Sequence, residues 1–93
     1  MLAHELIIQA RIDGDTLEAW VAAGWITPRQ SGEAADYTEI DVARACLIAD
    51  LHHLGVNEEG IPIILDLIDQ VHGLRRMARE LLTHVKAGQQ ERP

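Results

Sequence analysis

Apolar residues in the second half of the chain recur in alternating steps of three and four, at Ile64, Leu67, Val71, Leu74, Ala78, Leu81 and Val85. That spacing is a heptad a/d pattern, the seam of a helix that pairs with another helix. A second apolar set, Ile61, Leu65 and Ile68, widens the stripe only in the first half of the stretch. The pattern predicts a long helix within residues 57–86 that begins packed on its own domain and ends packed on a partner chain. Asn57 offers an N-cap, and Glu58 and Glu59 suit the positive end of a helix dipole. Pro62 leaves two options. Either Asn57–Gly60 is a separate turn with Pro62 at the first helical position, or the helix is kinked there. Residues 87–93 read as a polar tail.

The first 56 residues divide into shorter pieces. Leu6, Ile7 and Ala10 have helical spacing within Leu2–Ala10, although Leu6-Ile7-Ile8 fits a short strand equally well. Asp13-Gly14-Asp15 is a turn signal. Asp15 or Thr16 can then cap a helix over Thr16–Ala23, with Asp15 and Glu18 at capping-box spacing. Leu17, Trp20 and Val21 form its apolar face, and Gly24 stops it. Two short helices about a tight turn make a helix-turn-helix pattern.

Trp25-Ile26 is an extended apolar pair closed by Pro28. Arg29–Asp36 is polar and loop-like, and Tyr37 returns to an apolar residue, the order of a small β-hairpin wing. Thr38 caps the next helix, with Asp41 at its N3 position and Glu39 in its first turn. Ile40, Ala43, Leu47, Leu51 and Leu54 form a stripe predicted to face the core, and Gly55 ends the helix.

Composition narrows the class. Only three aromatics are present, Trp20, Trp25 and Tyr37, so aliphatic residues supply the core, which favours helix over sheet. No apolar run is long enough to span a membrane. The N-terminus has Glu5 early and no basic start or apolar core of a leader, which predicts a cytoplasmic protein. The single cysteine, Cys46, rules out an internal disulfide framework, and its apolar neighbours suit a buried small hydrophobe.

Charge changes the picture most. The net charge is −7, but residues 1–69 hold thirteen acids against three basic residues, a balance of −10. Residues 70–93 hold two acids against five basic residues, a balance of +3. Between Ile12 and Pro28 there is no Lys or Arg, and Thr16–Ala23 also lacks Asn and Gln. Base readout relies on those four residue types and non-specific affinity on cations facing phosphate. Autonomous DNA binding is therefore disfavoured, and a basic partner is favoured.

Asp50, His53, Glu58, Glu59, Asp66 and Asp69 are the candidate partner-binding acidic face, and Leu67, Val71, Leu74, Ala78, Leu81 and Val85 the candidate dimer seam. Asp66 and Asp69 lie one turn apart. They have no accompanying nucleophile, so a solvated surface is the plainer reading than acid–base catalysis. His52 and His53 are adjacent and point about 100° apart on a helix, a poor start for a metal site. No metal, cofactor or enzymatic constellation is predicted. Arg75, Arg76 and Arg79 suit the solvated flank of a coiled coil better than a nucleic-acid patch.

The order of pieces resembles the MerR-type winged helix with its long dimer helix. Within that superfamily the chain is most similar to the CbpM family of small chaperone modulators. The matching residues are Gly24-Trp25-Ile26-Thr27-Pro28-Arg29, Leu54-Gly55-Val56, and Gly60-Ile61 running into Leu65-Asp66-Leu67-Ile68-Asp69 and Leu74-Arg75. The resemblance covers roughly residues 5–86. It implies a mainly α fold, with a MerR-like winged helix-turn-helix domain over 1–56 that carries a small β wing. A long C-terminal helix over 57–86 and a tail over 87–93 complete the expected organisation. It further implies a non-enzymatic homodimer that binds the J-domain of a DnaJ-like co-chaperone of the CbpA type and inhibits its co-chaperone and DNA-binding activities. A J-domain presents a basic helix, which an acidic body can meet. The alternative is a dimeric MerR-type transcriptional regulator that binds DNA.

Overall fold

The computed structural model describes residues 1–90. Six elements follow in order: α1 (Ala3–Ala10), α2 (Gly14–Ala22), β1 (Arg29–Ser31), β2 (Ala34–Asp36), α3 (Glu39–His53) and α4 (Gly60–Gln90). The fold is mainly helical, a helix-turn-helix followed by a two-stranded wing and a long final helix. The chain parts into two compact units between Pro62 and Ile63, inside α4.

Helix α1 turns Leu6 and Ala10 inward and packs on both α2 and α3. The helical alternative for Leu6-Ile7-Ile8 holds. Arg11 closes α1 in the left-handed region at φ 58°, a conformation usually left to glycine. Helix α2 begins two residues earlier than its sequence signals predict. Asp13, not Asp15 or Thr16, is the N-cap, its Oδ1 accepting the Thr16 N–H at 2.7 Å. That hydrogen bond favours the ionised carboxylate and holds Asp13 below the usual carboxylate range. Gly24, at φ 81°, follows the last turn as predicted.

The wing sits inside the stretch that reads as loop. Its strands pair Arg29 with Asp36, Gln30 with Ala35 and Ser31 with Ala34, whereas Trp25–Pro28 and Tyr37 only flank them. Pattern could not show these strands, because five of their six residues are exposed and none needs an apolar partner. Turn geometry makes the hairpin instead. Gly32 takes φ 66° at the first central position of a two-residue turn, which a type II′ turn requires. The chain start anchors the far end. The Met1 ammonium donates to Asp36 Oδ1 at 2.7 Å and to the Tyr37 carbonyl at 2.8 Å, and the first of these lowers the Asp36 pKa.

Thr38 and Asp41 cap α3 reciprocally, as predicted. The predicted core stripe of α3 is wrong by about one residue. Ile40, Ala43 and Leu54 are exposed and Leu47 and Leu51 half-buried, while Asp41, Ala45 and Ile48 face inward. Asp41 is buried with its carboxylate already bonded to Thr38, so the inward face of α3 carries a satisfied polar group at its start. The close approach of α1 then suits the small Ala45. The core of the first unit is Leu6, Leu17, Trp20, Ile26, Tyr37, Ala45, Ile48 and Ile61. Burying each large aliphatic side chain contributes about 1.5–3 kcal/mol. Burial also raises the pKa of the Tyr37 hydroxyl, helped by the Asp41 and Glu18 charges.

The turn opened by Asn57 runs directly into α4, which begins at Gly60, so the option that set Pro62 at the first helical position after a separate turn does not hold. Asn57 Oδ1 accepts the Gly60 N–H at 2.8 Å, as a cap would. Pro62 then falls third in α4 rather than first, and because the Ile61 N–H already bonds to the Asn57 carbonyl at 3.2 Å, the proline leaves out the next i→i−4 bond of the opening turn. Helix α4 continues past Lys86 to Gln90, and residues 91–93 of the expected tail lie outside the described residues.

Candidate functional site

Helix α2 stands where a helix-turn-helix protein would read a groove. Its exposed positions are Gly14, Asp15, Glu18, Ala19 and Ala22, followed by Ala23. Two carboxylates and four small residues give phosphate nothing to meet. The wing adds Arg29 and Gln30 on β1, opposed by Glu33 in the turn and Asp36 on β2, all exposed. Arg44, a further cation of this unit, is half-buried and donates its Nε–H to the Trp25 carbonyl at 2.8 Å.

The small residues of α2 have a second consequence. Thr16, Ala19, Trp20 and Ala23 fall on one helical face and form one wall of a cavity of about 500 Å³. Ala49, His52 and His53 of α3 form the opposite wall. Trp25 and Ile12 close it, and Arg11 and Glu58 bring the two formal charges. Three rings cluster there. Trp20 and His52 are stacked at 6.0 Å between centroids with planes 13° apart, and Trp25 lies 6.5 Å from each. Trp20 is buried, Trp25 half-buried and His52 exposed, so the cluster runs from core to surface.

The predicted acidic face is distributed over both units. Asp50 and His53 lie one turn apart on α3, and Glu58 and Glu59 occupy the turn before α4, all four exposed. Of the six, His53 and Glu58 both line the cavity. Asp66 and Asp69 are exposed on α4, and Asp66 Oδ2 accepts a hydrogen bond from Gln70 at 3.0 Å. On the same helix Leu65 is buried and Ile64 and Ile68 half-buried. Every seam residue from Leu67 onward, including Val71, Leu74, Ala78, Leu81 and Val85, is exposed.

Sequence reasoning missed the cavity. The available signal was alanine at positions 19, 23 and 49 beside two of the chain's three aromatics, since a concavity needs small walls next to large ones. Cys46 is half-buried rather than buried, its thiol 3.9 Å from the Gln9 carbonyl. Among the described residues no three His, Cys, Asp or Glu side chains converge as a metal site would need, and no helix is long and apolar enough to cross a membrane.

Comparison with known families gives one result. Residues 1–83 match the model of a family described as "MerR HTH family regulatory protein". No curated protein and no solved structure matches the chain.

Proposed function

The chain belongs to the MerR HTH family of regulatory proteins, and from that premise we propose that it regulates by docking on a protein rather than by reading DNA. The partner is the J-domain of a DnaJ-like co-chaperone of the CbpA type. Docking there occludes the J-domain and inhibits both its co-chaperone activity and its DNA binding. The observation that carries this reading is α2, which offers Asp15, Glu18 and alanines at the positions where a DNA reader needs cations and amides. The first unit holds eleven acids against three basic residues over positions 1–62, which repels phosphate and attracts the basic helix of a J-domain.

In this reading the protein is cytoplasmic, non-catalytic and homodimeric, needs no cofactor, and pairs through the exposed seam of α4. Asp50, His53, Glu58, Glu59, Asp66 and Asp69 are the groups offered to the basic partner. The resemblance to chaperone modulators at Gly24–Arg29 and Leu54–Val56 supports the choice of partner. Regulation by direct DNA binding is the second reading, favoured by the helix-turn-helix and wing layout with Arg29 and Gln30 on β1.

One pair of measurements separates them. Titration with the J-domain of a CbpA-type co-chaperone from the same organism should give binding at micromolar concentration or tighter. Mobility shift on promoter DNA should stay flat even at low salt, where phosphate contacts are strongest. Absence of J-domain binding together with a salt-sensitive DNA shift would reverse the assignment.

A further inference from the structure

We propose that the cavity between α2 and α3 is a receptor for one arginine side chain projecting from the basic helix of the partner. The inference takes its partner from the docking reading above but stands on the cavity's own chemistry. Trp20, Trp25 and His52 form a ring cluster that is buried at one end and open at the other. A guanidinium is planar and weakly hydrated for a cation, and it stacks on aromatic faces. Glu58, on the cavity wall, supplies the carboxylate that such a group seeks once it leaves bulk water. The unit's balance of eleven acids to three basic residues concentrates cations at this surface, so the charge of the occupant matches the field.

Ala19 makes the site possible. It is exposed on α2 and lines the cavity, and any long side chain there would fill the space the guanidinium needs. Arg11 is the opposing feature, a cation on the same wall held in left-handed backbone geometry. Its presence makes the sign of the site testable. If the occupant is a cation, removing Arg11 strengthens binding. If the occupant is an anion, removing Arg11 weakens it.

The chain's two tryptophans both line the cavity, so intrinsic fluorescence reports occupancy directly. Three probes are titrated at constant ionic strength: N-acetyl-arginine amide, its neutral isostere N-acetyl-citrulline amide, and N-acetyl-leucine amide. Arginine amide should shift the tryptophan emission and bind about fivefold or more tightly than either neutral probe. Glu58→Gln should weaken it about two- to fivefold and Arg11→Gly should strengthen it by a similar factor. Ala19→Phe, a surface change with both tryptophans intact, should abolish the response while circular dichroism confirms the fold. Equal responses to arginine, citrulline and leucine amides, or weaker arginine binding by Arg11→Gly, overturns the proposal. The J-domain arm separates this inference from the docking reading. A J-domain that binds wild-type and Ala19→Phe chains equally removes the cavity's role and leaves docking intact. Arginine selectivity without J-domain binding supports the cavity and removes the proposed partner.

Discussion

Asp41 closes the start of α3 from a buried position. It is 3% exposed, and its Oδ2 accepts from the Thr38 backbone N–H at 2.9 Å and the Thr38 hydroxyl at 3.2 Å. The Asp41 N–H donates in return to Thr38 Oγ1 at 3.3 Å. Truncation at this position leaves a partly buried N–H and hydroxyl without their acceptor, a cost of about 1–3 kcal/mol. Asp41→Ala should therefore lower the thermal midpoint by several degrees, since each kcal/mol is worth about 4–8 °C in a domain of this size. Asp41→Asn keeps an oxygen acceptor and should recover part of the loss. A melting curve of Asp41→Ala superimposable on wild type would show that the box contributes nothing. Sequence periodicity misplaced the α3 core because the large residues Ile40 and Leu54 drew the stripe toward themselves, whereas the buried positions are Asp41, Ala45 and Ile48, one of them charged and one small. The cap was legible from residue types; the inward face, carrying a polar and a small residue, was not.

Among the elements, legibility follows how strongly local chemistry forces a structure. Helix α4 was readable because its heptad spacing holds over about three repeats, and α3 because Thr38 and Asp41 mark its start. The wing was readable only as an interval between helices, since strands with five exposed residues of six carry no apolar alternation. The cavity left only a weak trace, alanines beside aromatics, because it arises where α2 and α3 face each other across the fold. The exposed seam of α4 yields the prediction at this scale. Leu74 and Leu81 are both 64% exposed and Leu67 is 54% exposed, a row of large apolar groups that a coiled-coil partner would cover. Sedimentation should find a dimer for the wild-type chain. Leu74→Asp with Leu81→Asp places four carboxylates in the shared seam of that dimer and should give a monomer that keeps the helices of the first unit. A double variant that sediments as wild type would place the self-association elsewhere or rule it out.

At the scale of the whole molecule the uneven charge is the determining property. Positions 1–69 carry −10 and positions 70–93 carry +3, so the acidic field belongs to the domain and the start of α4, not to the basic C-terminal part of the chain. Exposed rim charges act mainly on encounter: they raise the association rate, and salt screens them over a Debye length of about 10 Å at 0.1 M. Asp66 and Asp69 are exposed on α4, outside the cavity and outside the seam, which makes them a clean handle on this effect. Asp66→Lys with Asp69→Lys changes the net charge by four units without disturbing a buried group. The J-domain association rate should fall by about three- to tenfold at low ionic strength, with the dissociation rate nearly unchanged. The difference between variant and wild type should close as salt rises toward about 0.5 M, where screening removes the long-range part. Stopped-flow mixing of the two proteins across a salt series measures both rates. An on-rate indifferent to salt and to the reversal would mean that the acidic body does not steer the partner, leaving short-range complementarity on the domain to account for recognition.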